Sequence, residues 1–221
     1  MWLVHQKHEI MSEIPTNTLE FLELCGRTCY KSENKICDGS AKRFTKMIVH
    51  DLKHESVIEH VNITVKFITS KSVTHELIRH RIASYSQESQ RYINYKKKDL
   101  AFIIPVWSNI KSGFWQIRDI DIFLETDAEK NFVNSLFNAK LSYLFLLKEG
   151  WTPQQAREVL PNIIKTEIVM TTNLREWRHI LKLRTSKAAH PQMRALMIPL
   201  LKEFQQKIPV IFDDIEINNE N

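Results

Sequence analysis

The sequence predicts an α+β fold: long helices packed on a small, mostly antiparallel sheet, in a single domain spanning residues 1–221. Three observations carry that expectation. Residues 127–148 set Phe132, Leu136, Phe137, Leu141, Leu144 and Phe145 at helical spacing. Val61, Ile63, Val65 and Phe67 alternate with Asn62, Thr64 and Lys66, the period of a strand with one buried face. The chain has 221 residues, 43% of them hydrophobic, which is enough to bury a sizeable core.

In chain order, residues 2–10 read as a short first strand. Thr16 or Asn17 is placed to cap a helix running to about Arg27, with Leu19, Phe21, Leu22 and Leu24 on its apolar side. Ser40 is placed to cap a second, in which Phe44, Met47, Ile48 and Leu52 recur every three to four residues. After the strand at 61–67, the run SVTHELIRHR reads as a short helix capped by Ser72, pairing His75 with Arg79 and Glu76 with His80 at i,i+4. Residues 83–92 lack a helical face and read as an ordered loop. FIIPVW is a short extended piece stopped by Pro105.

The long helix at 127–148 ends near Gly150, and Thr152 with Pro153 starts another that carries Arg157. The segments 162–171 and 174–183 stay open between helix and strand. Pro191 opens a last helix to about Lys207, and the acidic tail 213–221 is expected to fray.

Composition excludes several functions. Four glycines leave no GxGxxG and no GxxxxGK[ST], so any bound nucleotide is held chiefly by side chains. The formal charge of +5 suits an anionic ligand but is small for a dedicated DNA binder. Cys25, Cys29 and Cys37 leave one thiol unpaired in any scheme and lack a fourth ligand for structural zinc. Reduced cysteines, no apolar targeting core at the N-terminus and no long apolar run together predict a cytoplasmic protein without a membrane span. With no HExxH and no CxxC, no metal centre is expected.

Chemistry concentrates in two stretches. KSVTHELIRHRIASYSQESQRY (71–92) combines Arg79, His80, Arg81 and Arg91 with Ser84, Ser86 and Ser89. Guanidinium groups match phosphate oxygens with paired donors, and hydroxyls add neutral ones. A solvated face, a groove for a nucleic-acid backbone and a pocket for a small phosphorylated ligand all accommodate that composition. REVLPN (157–162) and TTNLREWRHILKLRTSKAAHPQMR (171–194) add Arg157, Asn173, Arg175, His179 and Arg184. Amides and imidazoles read a heterocycle's edge, and arginines hold phosphate or polarise a carbonyl.

The run RHRIASYSQESQRY, preceded by HESVIEH and followed by LPN and TNLREWRH, resembles the flavin-dependent thymidylate synthase family. Its RHR-x7-S signature is matched by Arg79, His80, Arg81 and Ser89. The resemblance implies a homotetramer that binds FAD, with active sites shared between subunits. It implies reductive methylation of dUMP to dTMP with 5,10-methylenetetrahydrofolate and NADPH as co-substrates and no enzyme nucleophile. By the same resemblance His54, Arg79, His80, Arg81, Asn173, Arg175 and His179 fall at FAD positions. Glu76, Arg79, Gln87, Ser89, Arg91, Arg157 and Arg184 fall at dUMP positions, with Arg184 as the uracil-polarising cation.

The chain departs from the family pattern in three places. Glu76 stands where glutamine is frequent, Ser86-Gln87 where Asn-Glu is frequent, and His179 where asparagine is frequent. The alternative reading is a noncatalytic single-stranded nucleic-acid binder, stacking bases on Tyr85, Tyr92, Tyr95 and Trp107 and following a backbone with Lys96, Lys97 and Lys98. That alternative leaves the set from Arg157 to Arg184 without a task.

Overall fold

The computed structural model describes residues 1–95 and 99–217. Lys96, Lys97 and Lys98 and the last part of the acidic tail, 218–221, lie outside the described residues. The chain divides into two compact units, one gathering residues 1–7, 67–79 and 86–168, the other residues 8–66, 80–85 and 169 onward.

The first unit is built on β1 (Trp2–Val4), β5 (Ala101–Ile103) and β6 (Gly113–Phe114), in the order β5-β1-β6. β1 pairs in parallel with β5, Leu3 opposite Phe102, and antiparallel with β6, Leu3 opposite Gly113. This sheet is therefore mixed. Leu3 and Phe102 are fully buried and join Val133, Leu136 and Tyr143 of α5 (Asp127–Lys148) in one core. The Thr126 hydroxyl caps α5 by accepting from the Glu129 amide, and Gly150 just beyond takes φ +90°. Leu141 and Phe145, expected in the buried stripe, are exposed; Val133 and Tyr143 supply the contacts instead.

The second unit packs α1 (Thr18–Tyr30), α2 (Ser40–Lys46), a π turn (Met47–Asp51), a 3-10 segment (Glu55–His60), α7 (Leu174–Arg184) and α8 (Pro191–Lys207). Its core centres on Trp177, stacked edge-on to Phe204 at 5.5 Å, with Phe212 beyond. The Trp177 indole donates to the Ile63 carbonyl at 3.1 Å, so the buried ring keeps its N–H satisfied. The second helix starts at Ser40 from Gly39, and the Ser40 hydroxyl donates to Glu23 at 2.6 Å rather than capping. Phe21, Leu24, Met47 and Leu52, expected on buried faces, are exposed.

The four-stranded sheet has the order β2-β3-β7-β4, and the division between the units falls within its strands. The single expected strand at 2–10 is two, because β2 (Lys7–Ile10) joins this second sheet. β3 (Asn62–Ser70) extends the predicted strand. β7 (Lys165–Asn173) resolves the open segment 162–171 as strand, and α7 resolves 174–183 as helix. Residues 84–87, expected in a loop, form β4 (Ser84–Gln87). The tail is ordered further than expected: Asp213 accepts from the Val210 amide, Asp214 binds Arg178, and Ile215 is buried. No helix among the described residues is long and apolar enough to cross a membrane.

Candidate functional site

The helix expected to carry the RHR motif stops short of it. α3 (Lys71–Leu77) is capped by Ser70, not Ser72, and the Arg79 amide already closes a turn on the Glu76 carbonyl. His80 therefore lies beyond the last turn of the helix. The segment 80–85 is fixed in the second unit by its own polar groups. The Tyr85 hydroxyl donates to the His80 carbonyl at 2.8 Å, and the Thr172 hydroxyl donates to the Ile82 carbonyl.

These bonds set His80 against α7. The Arg184 Nε–H donates to His80 Nε2 at 3.1 Å, and His80 Nδ1 lies 3.4 Å from Glu176 Oε1. A ring nitrogen that accepts cannot carry the hydrogen, so Nδ1 bears it and faces Glu176. His80 is 6% exposed; burial, with the Arg184 and His179 charges, pushes its pKa down to about 4. The His179 ring stands edge-on to His80 at 5.8 Å. Burial raises Glu176, opposed by His179, and pushes Tyr85 up to about 12 with help from Glu176. One oxygen or nitrogen each of His80, Glu176 and His179 lie within 4.8 Å of one another, a spacing a metal ion accepts. His80 Nε2 is already taken by Arg184 and Nδ1 faces Glu176, however, so the group reads as an electrostatic relay.

Beside this relay opens a cavity of about 550 Å³, lined by Asn173, Arg175, Glu176 and His179 of α7 with Glu55 and Glu59 of the 3-10 segment. Its size is ordinary for a ligand site. Asn173 is also the N-cap of α7, its side chain accepting from the Glu176 amide at 2.9 Å. Arg175 pairs with Glu59 at 2.6 Å and is half-exposed; that bond raises its pKa further.

Three of the expected FAD residues line the cavity, Asn173, Arg175 and His179, and a fourth, His80, stands beside His179. Three are elsewhere. His54 Nδ1 bonds the Tyr30 hydroxyl at 2.7 Å in the same unit, outside the cavity lining. Arg81 is exposed next to His80, and Arg79 belongs to the first unit.

The expected dUMP residues other than Arg184 all lie in the first unit. Gln87 donates to the Thr74 hydroxyl at 2.9 Å. Ser89 opens a turn, its carbonyl accepting from the Tyr92 and Ile93 amides. Arg91 donates to Gln154 at 2.9 Å, and Arg157 lies beside Glu158 at 3.3 Å. Lys71, absent from the expected set, donates to Gln90 at 2.8 Å. Burial and then the Arg157 charge lower its pKa, so two cations share that neighbourhood.

Sequence reasoning also missed Glu176, Tyr85 and the Arg178–Asp214 pair. A signal for Glu176 existed: Asn173 followed three residues later by a glutamate is the pattern of a helix start. The proposed base-stacking set is partly spent on structure. Tyr85 holds the His80 carbonyl, and Tyr95 is buried edge-on to Tyr143 and bonded to Glu88.

The family model described as "Thymidylate synthase complementing protein" matches residues 12–210. The flavin-dependent thymidylate synthase of Mycobacterium tuberculosis (strain ATCC 25618 / H37Rv) is 36% identical over 208 residues, covering 89% of this chain and 79% of its own length. That settles the family. The chain belongs to the flavin-dependent thymidylate synthases. The enzyme of Corynebacterium efficiens is 34% identical over 204 residues with the same coverage. In fold, the chain is similar to thymidylate synthase X from Helicobacter pylori, solved with FAD and dUMP. That likeness has a TM-score of 0.75 at 23% identity and covers 95% of this chain and 98% of that one. The α+β architecture with mixed sheets is the fold this likeness shows.

Proposed function

We propose that the chain converts dUMP to dTMP, taking the one-carbon unit from 5,10-methylenetetrahydrofolate and reducing equivalents from NADPH. The observation that carries this reading is the meeting of His80 and Arg184, 104 residues apart, at 3.1 Å. The family's two separate motifs thereby become one site.

FAD fits the cavity beside them. The His179 imidazole, Asn173 amide and Arg175 guanidinium that line it suit a flavin edge and a pyrophosphate, His80 stands beside His179, and the volume is that of a cofactor site. Bound FAD supplies hydride transfer, which no side chain performs. His54, Arg79 and Arg81 complete the proposed FAD set, and other copies of the chain in a homotetramer with shared sites place them. A fixed guanidinium at Arg184 stabilises negative charge developing on the uracil carbonyl, so the ring accepts the one-carbon unit without an enzyme nucleophile. Ser89, Arg91, Arg157, Gln87, Arg79 and Glu76 form the proposed nucleotide contacts, with Ser89 a hydrogen-bond partner. The partners are small molecules, and the location is cytoplasmic.

The test is direct. The purified protein should be yellow, and with dUMP, methylenetetrahydrofolate and NADPH it should form dTMP. Arg184→Ala should abolish most dTMP formation while the tetramer persists. A protein that neither takes up FAD nor makes dTMP refutes the assignment, and full turnover by the variant refutes the role of Arg184.

A further inference from the structure

We propose that Glu176 is a positioning residue for the reaction: acting through His80, it holds the Arg184 guanidinium in its working orientation. This rests on the reading of Arg184 as the polarising cation. Glu176 lies in the first turn of α7 and Arg184 ends the helix, eight residues and about 12 Å of helix rise apart. Residues at that separation do not meet along the helix surface, where neighbours are three or four apart. His80, from a different segment, touches both: Nε2 accepts from Arg184 and Nδ1 faces Glu176.

The physical advantage lies in the bridging group being neutral. An arginine held directly by a carboxylate has its charge largely cancelled where it is needed. Through the neutral imidazole the Glu176 charge acts on Arg184 from one ring away rather than by direct contact. The carboxylate nevertheless acts on the bond. With Oε1 3.4 Å from Nδ1, its negative charge favours the hydrogen on that nitrogen and so keeps Nε2 an acceptor, much as carboxylates act behind ligand histidines. The imidazole cannot turn away freely, because its own carbonyl is held by Tyr85 and the Ile82 carbonyl by Thr172. The low pKa of His80 supports this geometry, since a protonated ring would lose the acceptor.

The experiment is a double-mutant cycle on the FAD-loaded enzyme. Glu176→Ala should lower kcat for dTMP formation about 10- to 100-fold, the cost of misplacing a supporting partner. KM for dUMP should stay within about threefold, with kcat taken per bound flavin because Glu176 also lines the proposed FAD cavity. Glu176→Gln should recover part of the loss, since its amide oxygen still faces Nδ1. In an Arg184→Lys background, adding Glu176→Ala should cost less than about threefold more, because residues acting as one unit are non-additive.

Additive losses overturn the proposal, as does unchanged kcat in both Glu176 variants or a loss explained by missing flavin. If Glu176→Ala does not fold, the near-isosteric Glu176→Gln carries the same cycle. Failure of the underlying reading looks different: Arg184→Lys would then itself keep full turnover.

Discussion

His80 accepts a hydrogen bond from Arg184 and points its other nitrogen at Glu176, so the imidazole must be neutral in the folded protein. That requirement has a consequence for stability. An unfolded histidine titrates near 6.5, whereas burial first, then Arg184 and His179, pushes His80 down to about 4. Between those values the unfolded state binds a proton that the folded state refuses. The stability His80 contributes is present above about 6.5 and is lost as pH falls toward 4. Over that window the loss should reach on the order of 3 kcal/mol. Denaturant unfolding at pH 7 and pH 4.5 checks it: His80→Gln should show a shallower pH dependence than the parent. Parallel curves would mean His80 takes up its proton on folding as readily as off it.

Arg178 is 1% exposed and is held by two bonds to Asp214, at 2.6 and 2.8 Å, and one to Glu55 at 3.1 Å. Burial pushes Asp214 up, but the bonds and charge of Arg178, with Lys182 and His50, outweigh it and hold the carboxyl well below its usual range. Asp214→Ala leaves a buried guanidinium with half its partners, which should cost about 3 kcal/mol at neutral pH. Because the folded pKa is depressed, the parent's advantage should be complete above about pH 4 and shrink as pH drops below it. Urea melts of both proteins across that range measure it. An unchanged midpoint at pH 7 would show that the tail's docking on Arg178 contributes nothing.

The sequence was most legible where one segment states its own boundaries. Thr126 and Gly150 frame α5, and Pro191 opens α8, so both helices fall on the expected residues. β4 escaped notice because SYSQ carries no apolar alternation; its order comes from pairing beside β7. β7 alternates well, but two of its four buried positions are Thr166 and Thr172, so hydrophobicity alone could not separate strand from helix. In the site, Asn173, Arg175 and His179 share one helix and one motif. Glu176 gains its meaning only from His80, whose position depends on where α3 stops. The exposed Phe21, Leu24, Leu141 and Phe145 show the same limit: spacing marks an apolar face but not what covers it.

Gly26 lies buried in the middle of α1, where alanine would ordinarily favour the helix by about 1 kcal/mol. Here a Cβ would meet the Phe44 ring at 2.5 and 2.7 Å and Val57 at 3.3 Å. Phe44 cannot swing aside cheaply. It is 3% exposed, and the Arg27 guanidinium sits 4.5 Å over its ring. Overpacking of this kind costs roughly 1–3 kcal/mol, so Gly26→Ala should lower stability despite its helix propensity. A raised unfolding midpoint would show that α1 and α2 separate easily.

Glu76 offers the sharpest test of the nucleotide assignment. It lies on α3, the helix that begins at Lys71, whose pKa is lowered by burial first and then by the nearby Arg157 charge. If a phosphate binds among Arg91, Arg157 and Ser89, a carboxylate on that helix repels it, and an amide would not. Glu76→Gln should therefore lower KM for dUMP about three- to tenfold, equal to roughly 0.6–1.4 kcal/mol. kcat should change little, because the interaction is the same in ground and transition states. The gain should also weaken as salt is added, since screening reduces a repulsion between partly exposed charges. Steady-state kinetics at low and high ionic strength read both effects. A KM that stays the same or rises would place Glu76 away from the phosphate, orienting an arginine or the uracil edge instead.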